Sequence, residues 1–217
     1  MKKSYRKAID KFHKLYYDNG KKTWGNTFYF GISTYKLPLD LWIYQEIIYK
    51  IKPDVIIESG TYKGGSSFYL AHLCDAIGRG NIITIDNLDY KQRVDKKVLE
   101  HKRIRFIKGS SLDKETISQI KKILKPQSKV LVILDSDHKK EHVLKELRIY
   151  SKFVTKGSYL ILEDTNINGH PVYKKFGPGP MEALRLFLKE NKKFKSDKNM
   201  EKFLVTFNPK GYLLKIK

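Results

Sequence analysis

The stretch PDVIIESGTYKGGSS, residues 53–67, decides how this 217-residue chain is read. Val55, Ile56 and Ile57 make a short apolar run of the kind that parallel sheets bury on both faces. The run ends on a carboxylate, Glu58, followed by glycines at 60, 64 and 65. Glycine lets a chain turn tightly off a strand and lets bare backbone approach a ligand where the next helix opens. The spacing is not the GxGxxG of a dinucleotide binder, and no phosphate-binding lysine follows the last glycine. An acid at the strand end disfavours phosphate and suits a cationic group.

Outward from this stretch the pattern repeats. β-rich runs stand at NIITID (81–86), IRFIK (104–108), KVLVILD (129–135) and SYLILED (158–164). Helical stretches separate most of them, near 65–77, 113–124, 139–150 and 180–190, so the sheet is predicted to be parallel with helices on both faces. The end differs: EKFLVTF (201–207), the turn NPKG (208–211) and YLLKI (212–216) predict an antiparallel hairpin. The fold class is therefore α/β and Rossmann-like, with a mainly parallel seven-stranded sheet. Upstream, Ile9, Phe12, Leu15 and Tyr16 have helical spacing, residues 18–39 read as an aromatic loop, and a helix runs from Asp40 as N-cap to Tyr49. Residues 1–50 are thus an N-terminal extension and 51–217 the main domain.

Composition excludes several classes. Forty-four Lys+Arg against 23 Asp+Glu leave a net charge of +21, yet 41% hydrophobic and 12% aromatic content rule out a disordered polycation. A single cysteine, Cys74, excludes a disulfide framework and a cysteine-rich zinc site, and is expected to be buried and inert. No apolar run reaches the roughly 18 to 20 residues of a membrane span, and the N-terminus has no secretory pattern, so a cytoplasmic location is expected. The lysines are spread from Lys2 to Lys217 without a dense arginine stripe. They read as a solvated surface, with attraction to an anionic substrate or membrane as the other reading, and no specific nucleic-acid partner is expected.

Open α/β sheets bind ligands beyond the carboxyl ends of their strands. The first such end offers Glu58, Gly60, Thr61, Gly64 and Ser66, and the second offers Asp86, placed to accept hydrogen bonds from a ribose diol. The third, GSS (109–111), brings Ser110 and Ser111, small and polar enough for an adenine edge. Singly, the glycines are also a tight turn and Asp86 also a helix cap. Together the three resemble a class I methyltransferase using S-adenosylmethionine.

Two further strand ends, LDSDH (134–138) and LED (162–164), bring Asp135, Glu163 and Asp164 to one rim. Three converging carboxylates repel one another unless a hard cation lies between them, and oxygen donors without cysteine favour Mg²⁺, or Mn²⁺, over zinc. Asp135 also lies beside the cofactor position. His138, three residues on, has the intrinsic pKa of a general base at neutral pH. The alternatives are Asp137 as ligand in place of Asp135, His138 as a neutral donor, and Glu163–Asp164 paired with loop lysines such as Lys174. Trp24, Tyr35 and His170 are candidate substrate contacts, whereas Trp42 is expected to pack in the core. The Gly- and Pro-rich stretch from Thr165 to Pro180 reads as a substrate-covering loop.

The blocks LPLDLWIYQEI (37–47), PDVIIESGTYKGGSS (53–67), LVILDSDH (131–138), GSYLILEDTNINGHP (157–171), FGPGPMEA (176–183) and KFLVTFNPKGYL (202–213) resemble the cephalosporin hydroxylase family. Despite the name, its members are magnesium-dependent S-adenosylmethionine methyltransferases, rhamnosyl O-methyltransferases among them. The resemblance runs from about Trp24 to the C-terminus, and the first 20 or so residues match nothing in it. It implies metal ligands at Asp135, Glu163 and Asp164, a base at His138, and Glu58, Gly60 and Asp86 along the cofactor. Its members' acceptors vary widely, so the resemblance does not name the substrate. Because a vicinal diol would fill two metal positions at once, a diol-bearing sugar or glycan-like acceptor is expected, with a catechol as the alternative. Self-association is expected from the family and the aromatic N-terminal arm. ESGT stands where members often carry ETGT, a mild departure. The alternatives are a nucleic-acid methyltransferase, whose motifs are missing, and a non-catalytic cofactor-binding partner.

Overall fold

In the computed structural model, which describes residues 2–217, the chain opens with α1 (Lys3–Asp18), two 3-10 turns, a ribbon of β1 (Phe28–Tyr29) and β2 (Ile32–Ser33), and α2 (Pro38–Ile51). Strands and helices then alternate. They are β3 (Val55–Ser59), α3 (Gly65–Ala76), β4 (Asn81–Asp86), the short α4 (Lys96–Leu99), β5 (Ile104–Lys108), α5 (Lys114–Ile123), β6 (Val130–Leu134), α6 (Lys140–Tyr150) and β7 (Tyr159–Leu162). After α7 (Pro180–Glu190) come β8 (Phe194–Ser196) and β9 (Tyr212–Lys215). The seven-stranded sheet has the order β5-β4-β3-β6-β7-β9-β8. It is parallel from β5 to β7 and antiparallel where β9 joins β7 and β8. The order reverses between β3 and β6, so the crevice beyond these two strand ends is the switch point at which such sheets bind ligands.

Alternation along the strands divides the core into two layers. Ile57, Ile83, Val132 and Leu160 face Leu147 of α6 and Phe187 of α7, whereas Ile56, Ile82, Leu131 and Ile161 face Ile47 of α2 and Leu70 of α3. Each such side chain contributes about 1.5–3 kcal/mol on burial, which explains why strands with apolar residues on both faces hold their place so firmly. Cys74 is buried within the second layer.

The closing antiparallel pair is present, but its first strand is not EKFLVTF. β8 is only Phe194–Ser196, and residues 202–207 form an irregular turn. Val205 and Phe207 pack with Tyr16, Tyr17 and Trp24 of the extension. Thr206, between them, turns to α2, so their alternation serves two neighbours and no ladder. Thr206 Oγ1 donates to Asp40 Oδ1 at 2.5 Å, the Phe207 N–H to Oδ2 at 2.9 Å, and Tyr212 OH to Oδ1 at 2.8 Å. Asp40 is therefore not the N-cap. The helix starts at Pro38, whose missing N–H suits a first turn, and Asp40 is 2% exposed within that turn. Trp42 is not in the core either. It is 58% exposed and donates from Nε1 to Glu46, because α2 buries the adjacent stripe of Ile43, Tyr44, Ile47 and Ile48.

Burial pushes the Asp40 carboxyl up to about 6 from an ordinary 3.8, against the pull of its three donors and Lys36. The folded chain thus holds this proton more tightly than the unfolded one. This group's contribution to stability falls as pH rises from about 4 to about 6. Asp40→Asn should flatten that part of the stability profile in urea unfolding across the range. Asp40→Ala strands three donors and should cost about 3 kcal/mol, a drop in Tm of roughly 6–12 °C by calorimetry for a chain of this size.

Candidate active site at the central strand ends

The backbone sets the site before any side chain does. Gly60 leaves β3 at φ +93°, and a Cβ there would lie 1.9 Å from the Asp135 carbonyl oxygen. Only glycine allows β3 and β6 to end this close. The Asp135 N–H donates to Ser59 O at 3.0 Å and the Gly60 N–H to Ile85 O at 2.8 Å, tying three strand ends together. Gly65 does the same for the extension. A Cβ on it would meet Ser33 O at 2.3 Å, so its absence lets the segment after β2 lie on the first turn of α3.

Two cavities meet here, and Gly60, Tyr62, Asp135 and Ser136 line both. The larger, about 470 Å³, is lined by Asp86, Ser110, Ser111 and His142. Asp86 is held by N–H donors from Tyr62 on Oδ2 and Leu88 on Oδ1, each at 2.9 Å, with lone pairs to spare. The Ser110 hydroxyl accepts from the Leu112 N–H, and Ser111 Oγ lies 3.2 Å from His142 Nε2. His142, on α6, went unnoticed in the sequence, where its one signal is Glu146 a helical turn later. The Glu146 carboxylate raises its pKa.

The second cavity, about 360 Å³, is walled by aromatic rings: Tyr17, Trp24, Tyr35, Tyr62, Tyr173 and Phe176. Trp24 stacks on Tyr17 at 5.4 Å and meets Tyr35 edge-on at 6.1 Å. Thr61 and Ser66 also line this lobe, as do His138 and Asp164. Gly64 lines neither, lying instead against Val94 and Val98. Glu58 does not reach the ligand space. It is buried beneath the glycine turn, where it accepts from the Ser67 hydroxyl and from Thr84 Oγ1 at 2.8 Å, so a direct contact with a bound cation is not what this geometry offers. His170 is also turned aside, with Nε2 2.7 Å from Glu182 Oε1 at the start of α7. Asp137 is exposed and accepts the Lys139 N–H at 2.8 Å. A further cavity, about 740 Å³, lies at the opposite strand ends among Arg79, Arg103 and Arg105, away from this chemistry.

Where the lobes meet, Asp135, His138 and Asp164 each offer a ligand atom, all within 4.8 Å of one another. His138 Nε2 lies 3.2 Å from Asp164 Oδ2 and 4.0 Å from Asp135 Oδ1. Glu163 diverges from this group, because successive residues at a strand end point to opposite sides and the chain turns at Asp164, φ +54°. Its Oε1 accepts from Tyr44 OH at 2.7 Å and pairs with Lys36 Nζ at 2.6 Å. The same ammonium binds Asp135 Oδ2. Asn208 links this centre to the C-terminal turn: its side-chain N–H donates to Tyr44 OH at 3.0 Å, and its Oδ1 accepts the Asp164 N–H at 3.1 Å.

Lys36, only 4% exposed, is the residue of this centre that the sequence hid. Burial pushes its pKa down, but the carboxylates of Asp135 and Glu163 more than reverse this and hold it charged. Burial pushes Glu163 up to about 8 against the pull of Lys36, and pushes Asp164 up against that of His138. Lys36 offsets the charge of Asp135 and Glu163 on the inner side, which leaves Asp135 and Asp164 to face the lobes with oxygen donors. Those donors fit a hard divalent cation.

The family model described as Rhamnosyl O-methyltransferase/CmcI matches residues 21–216. A rhamnosyl O-methyltransferase of Mycobacterium bovis (strain BCG / Pasteur 1173P2) is 38% identical over 216 residues, covering 96% of this chain and 85% of the relative. One from Mycobacterium leprae (strain TN) is 34% identical over 212 residues, covering 95% and 90%. Among solved structures, apo CmcI superposes with TM-score 0.69 at 18% identity over 89% of this chain and 77% of CmcI. CmcI with Mg and SAM gives 0.67 at 18% identity, over 89% and 78%. At that identity the superposition speaks for the class I methyltransferase fold. Model and relatives together place the chain in a family of transferases, and it belongs to the rhamnosyl O-methyltransferase/CmcI family.

Proposed function

We propose that the two lobes hold S-adenosylmethionine and a sugar on either side of the Gly60–Asp135 junction, and that the cofactor's methyl passes to a sugar hydroxyl there. The observation that carries this reading is the convergence of Asp135, His138 and Asp164 where the lobes meet. The relatives' name, rhamnosyl O-methyltransferase, and the Mg and SAM of a CmcI structure support it. The larger lobe suits the nucleoside, with Asp86 for the ribose diol and Ser110 and Ser111 at the base. Thr61 and Ser66, at the opening of α3, lie on the path to the methionine end. In the other lobe, Trp24 and Tyr35 offer apolar faces for a sugar ring.

Asp135 and Asp164 are the proposed metal ligands, and Glu163, held by Tyr44 and Lys36, supports them from outside the ligand group. When bound, Mg²⁺ or Mn²⁺ supplies the charge that lowers the pKa of a coordinated hydroxyl. His138 Nε2 takes the hydroxyl proton, and Asp164, 3.2 Å away, stabilises the imidazolium that results. The methyl of S-adenosylmethionine is already electrophilic, so the chain's remaining task is alignment. A vicinal diol, offering two oxygens at once, is the acceptor pattern that best fixes which oxygen attacks. Cytoplasmic residence and self-association accompany this reading, and light scattering gives the copy number.

Calorimetric titration of S-adenosylmethionine with and without Mg²⁺ tests the cofactor, and no binding in either condition would overturn the reading. His138→Ala should lower kcat by about 10²–10⁴ while leaving cofactor affinity within about twofold. Unchanged turnover would remove it as base. Asp135→Ala and Asp164→Asn should each abolish Mn²⁺ binding followed by electron paramagnetic resonance. Lys36→Met leaves Glu163 buried without its partner and should cost on the order of 3 kcal/mol. Mg²⁺ should raise the Tm of Lys36→Met more than that of the wild type in a melting assay, and equal rises would separate the lysine from the metal set.

A further inference from the structure

Helix α1 precedes the residues that the family model matches, 21–216, and one of its faces is unused by the fold. Its inner face is packed: His13 is buried, and Ile9, Tyr16 and Tyr17 join Val205 and Phe207 beneath it. A second apolar face lies in solvent, where Tyr5, Phe12 and Leu15 are 59%, 53% and 62% exposed. With the exposed Ala8 they fall at i, i+3, i+7 and i+10, one stripe along the helix. Lys3, Lys7, Lys11 and Lys14 form the next row, and among the described residues none of the four makes an ion pair with a carboxylate. Of the two acids of α1, Asp10 is 3.3 Å from Arg6 and Asp18 stands at the C-terminal end of the lysine row. Going round α1, packed face, apolar stripe and lysine row follow one another.

We infer that α1 docks the protein on an anionic lipid bilayer, its stripe entering the boundary between headgroups and acyl chains and its lysines over the anionic headgroups. Charge selects this occupant. The chain carries +21, and a second copy pairing through the same face would lay two lysine rows side by side. The helix lies on the surface rather than crossing, since among the described residues no helix is long and apolar enough to span a membrane. Tyr17, near its C-terminal end, lines the aromatic lobe, which joins the docked helix to the acceptor cavity. The docking does not depend on the methyl-transfer reading.

Vesicle co-sedimentation of the full chain tests it, using phosphatidylcholine alone and phosphatidylcholine with about one-third phosphatidylglycerol. The wild type should bind the anionic vesicles and not the neutral ones. Phe12→Glu with Leu15→Glu should lower that partition about tenfold or more, and so should Gln at Lys3, Lys7, Lys11 and Lys14 together. All six positions lie on the outer faces of α1, and a circular-dichroism melt matching the wild type certifies each variant. Absence of wild-type binding overturns the proposal. So does binding by both variants at the wild-type level, which would assign adsorption to the general surface charge. If Phe12→Glu with Leu15→Glu leaves vesicle binding intact but splits an oligomer in light scattering, the face is a contact between copies and the proposal fails.

Discussion

The buried ammonium of Lys36, held between Asp135 and Glu163, is the interaction around which this molecule is organised. A charge in that position requires partners from both sides of the chain, and the fold supplies them at some cost in local freedom. Gly65 must lack a side chain so that the segment after β2 can reach the sheet. Gly60 must lack one so that Asp135 can stand at the end of β3. Removing Lys36 would leave the two acids facing each other without a counter-ion in a low-dielectric interior, where such groups are strongly destabilising. The extension is therefore part of the site. It contributes Lys36, Tyr17, Trp24 and Tyr35 to a centre whose acids come from β6 and β7.

The same charge explains how acids so close together coexist. Asp135 gives one oxygen to Lys36 and turns the other toward His138 and Asp164. Glu163 and Tyr44 close the inner side, and Asn208 holds both Tyr44 and the Asp164 backbone. Ligand geometry at the rim is thus set by a second layer of hydrogen bonds, the usual condition for a centre that must be stiff on the ångström scale.

How far the sequence was legible follows from what each element buries. The parallel strands read to within a residue or two. For β3, β4, β6 and β7 this is because both their faces are mainly apolar, a signal that needs no partner to interpret. The edge strand β5 reads from alternation, with Arg105 and Lys108 exposed. β8 did not read, since three residues, Phe-Lys-Ser, carry no period. YLLKI is β9 of the closing antiparallel pair, but EKFLVTF misleads as its first strand because VTF is β-rich by composition while its side chains serve two different neighbours. Of the site, Asp86, Asp135, His138 and Asp164 could be located from their strand ends alone. Glu58 and Glu163 could be located but not oriented, because burial and the pleat decide orientation. Lys36 was illegible. One lysine among 44 basic residues carries no mark, and the carboxylates it meets lie about a hundred or more positions away.

The turn at Thr206–Asn208 bears on the order in which the protein comes into being. Asp40, Tyr44, Lys36 and both acidic strand ends emerge from the ribosome well before Thr206, Asn208 and Tyr212. Until those last residues appear, the Asp40 carboxylate lacks every donor it has in the folded chain, and Tyr44 and Asp164 lack their bridge. The lobe lined by Asp86, Ser110, Ser111 and His142 takes none of its lining residues from the last segment. The centre at Asp164 does depend on it, through Asn208. The last stretch to be synthesised is therefore the clasp that closes the hydrogen-bond network behind the site.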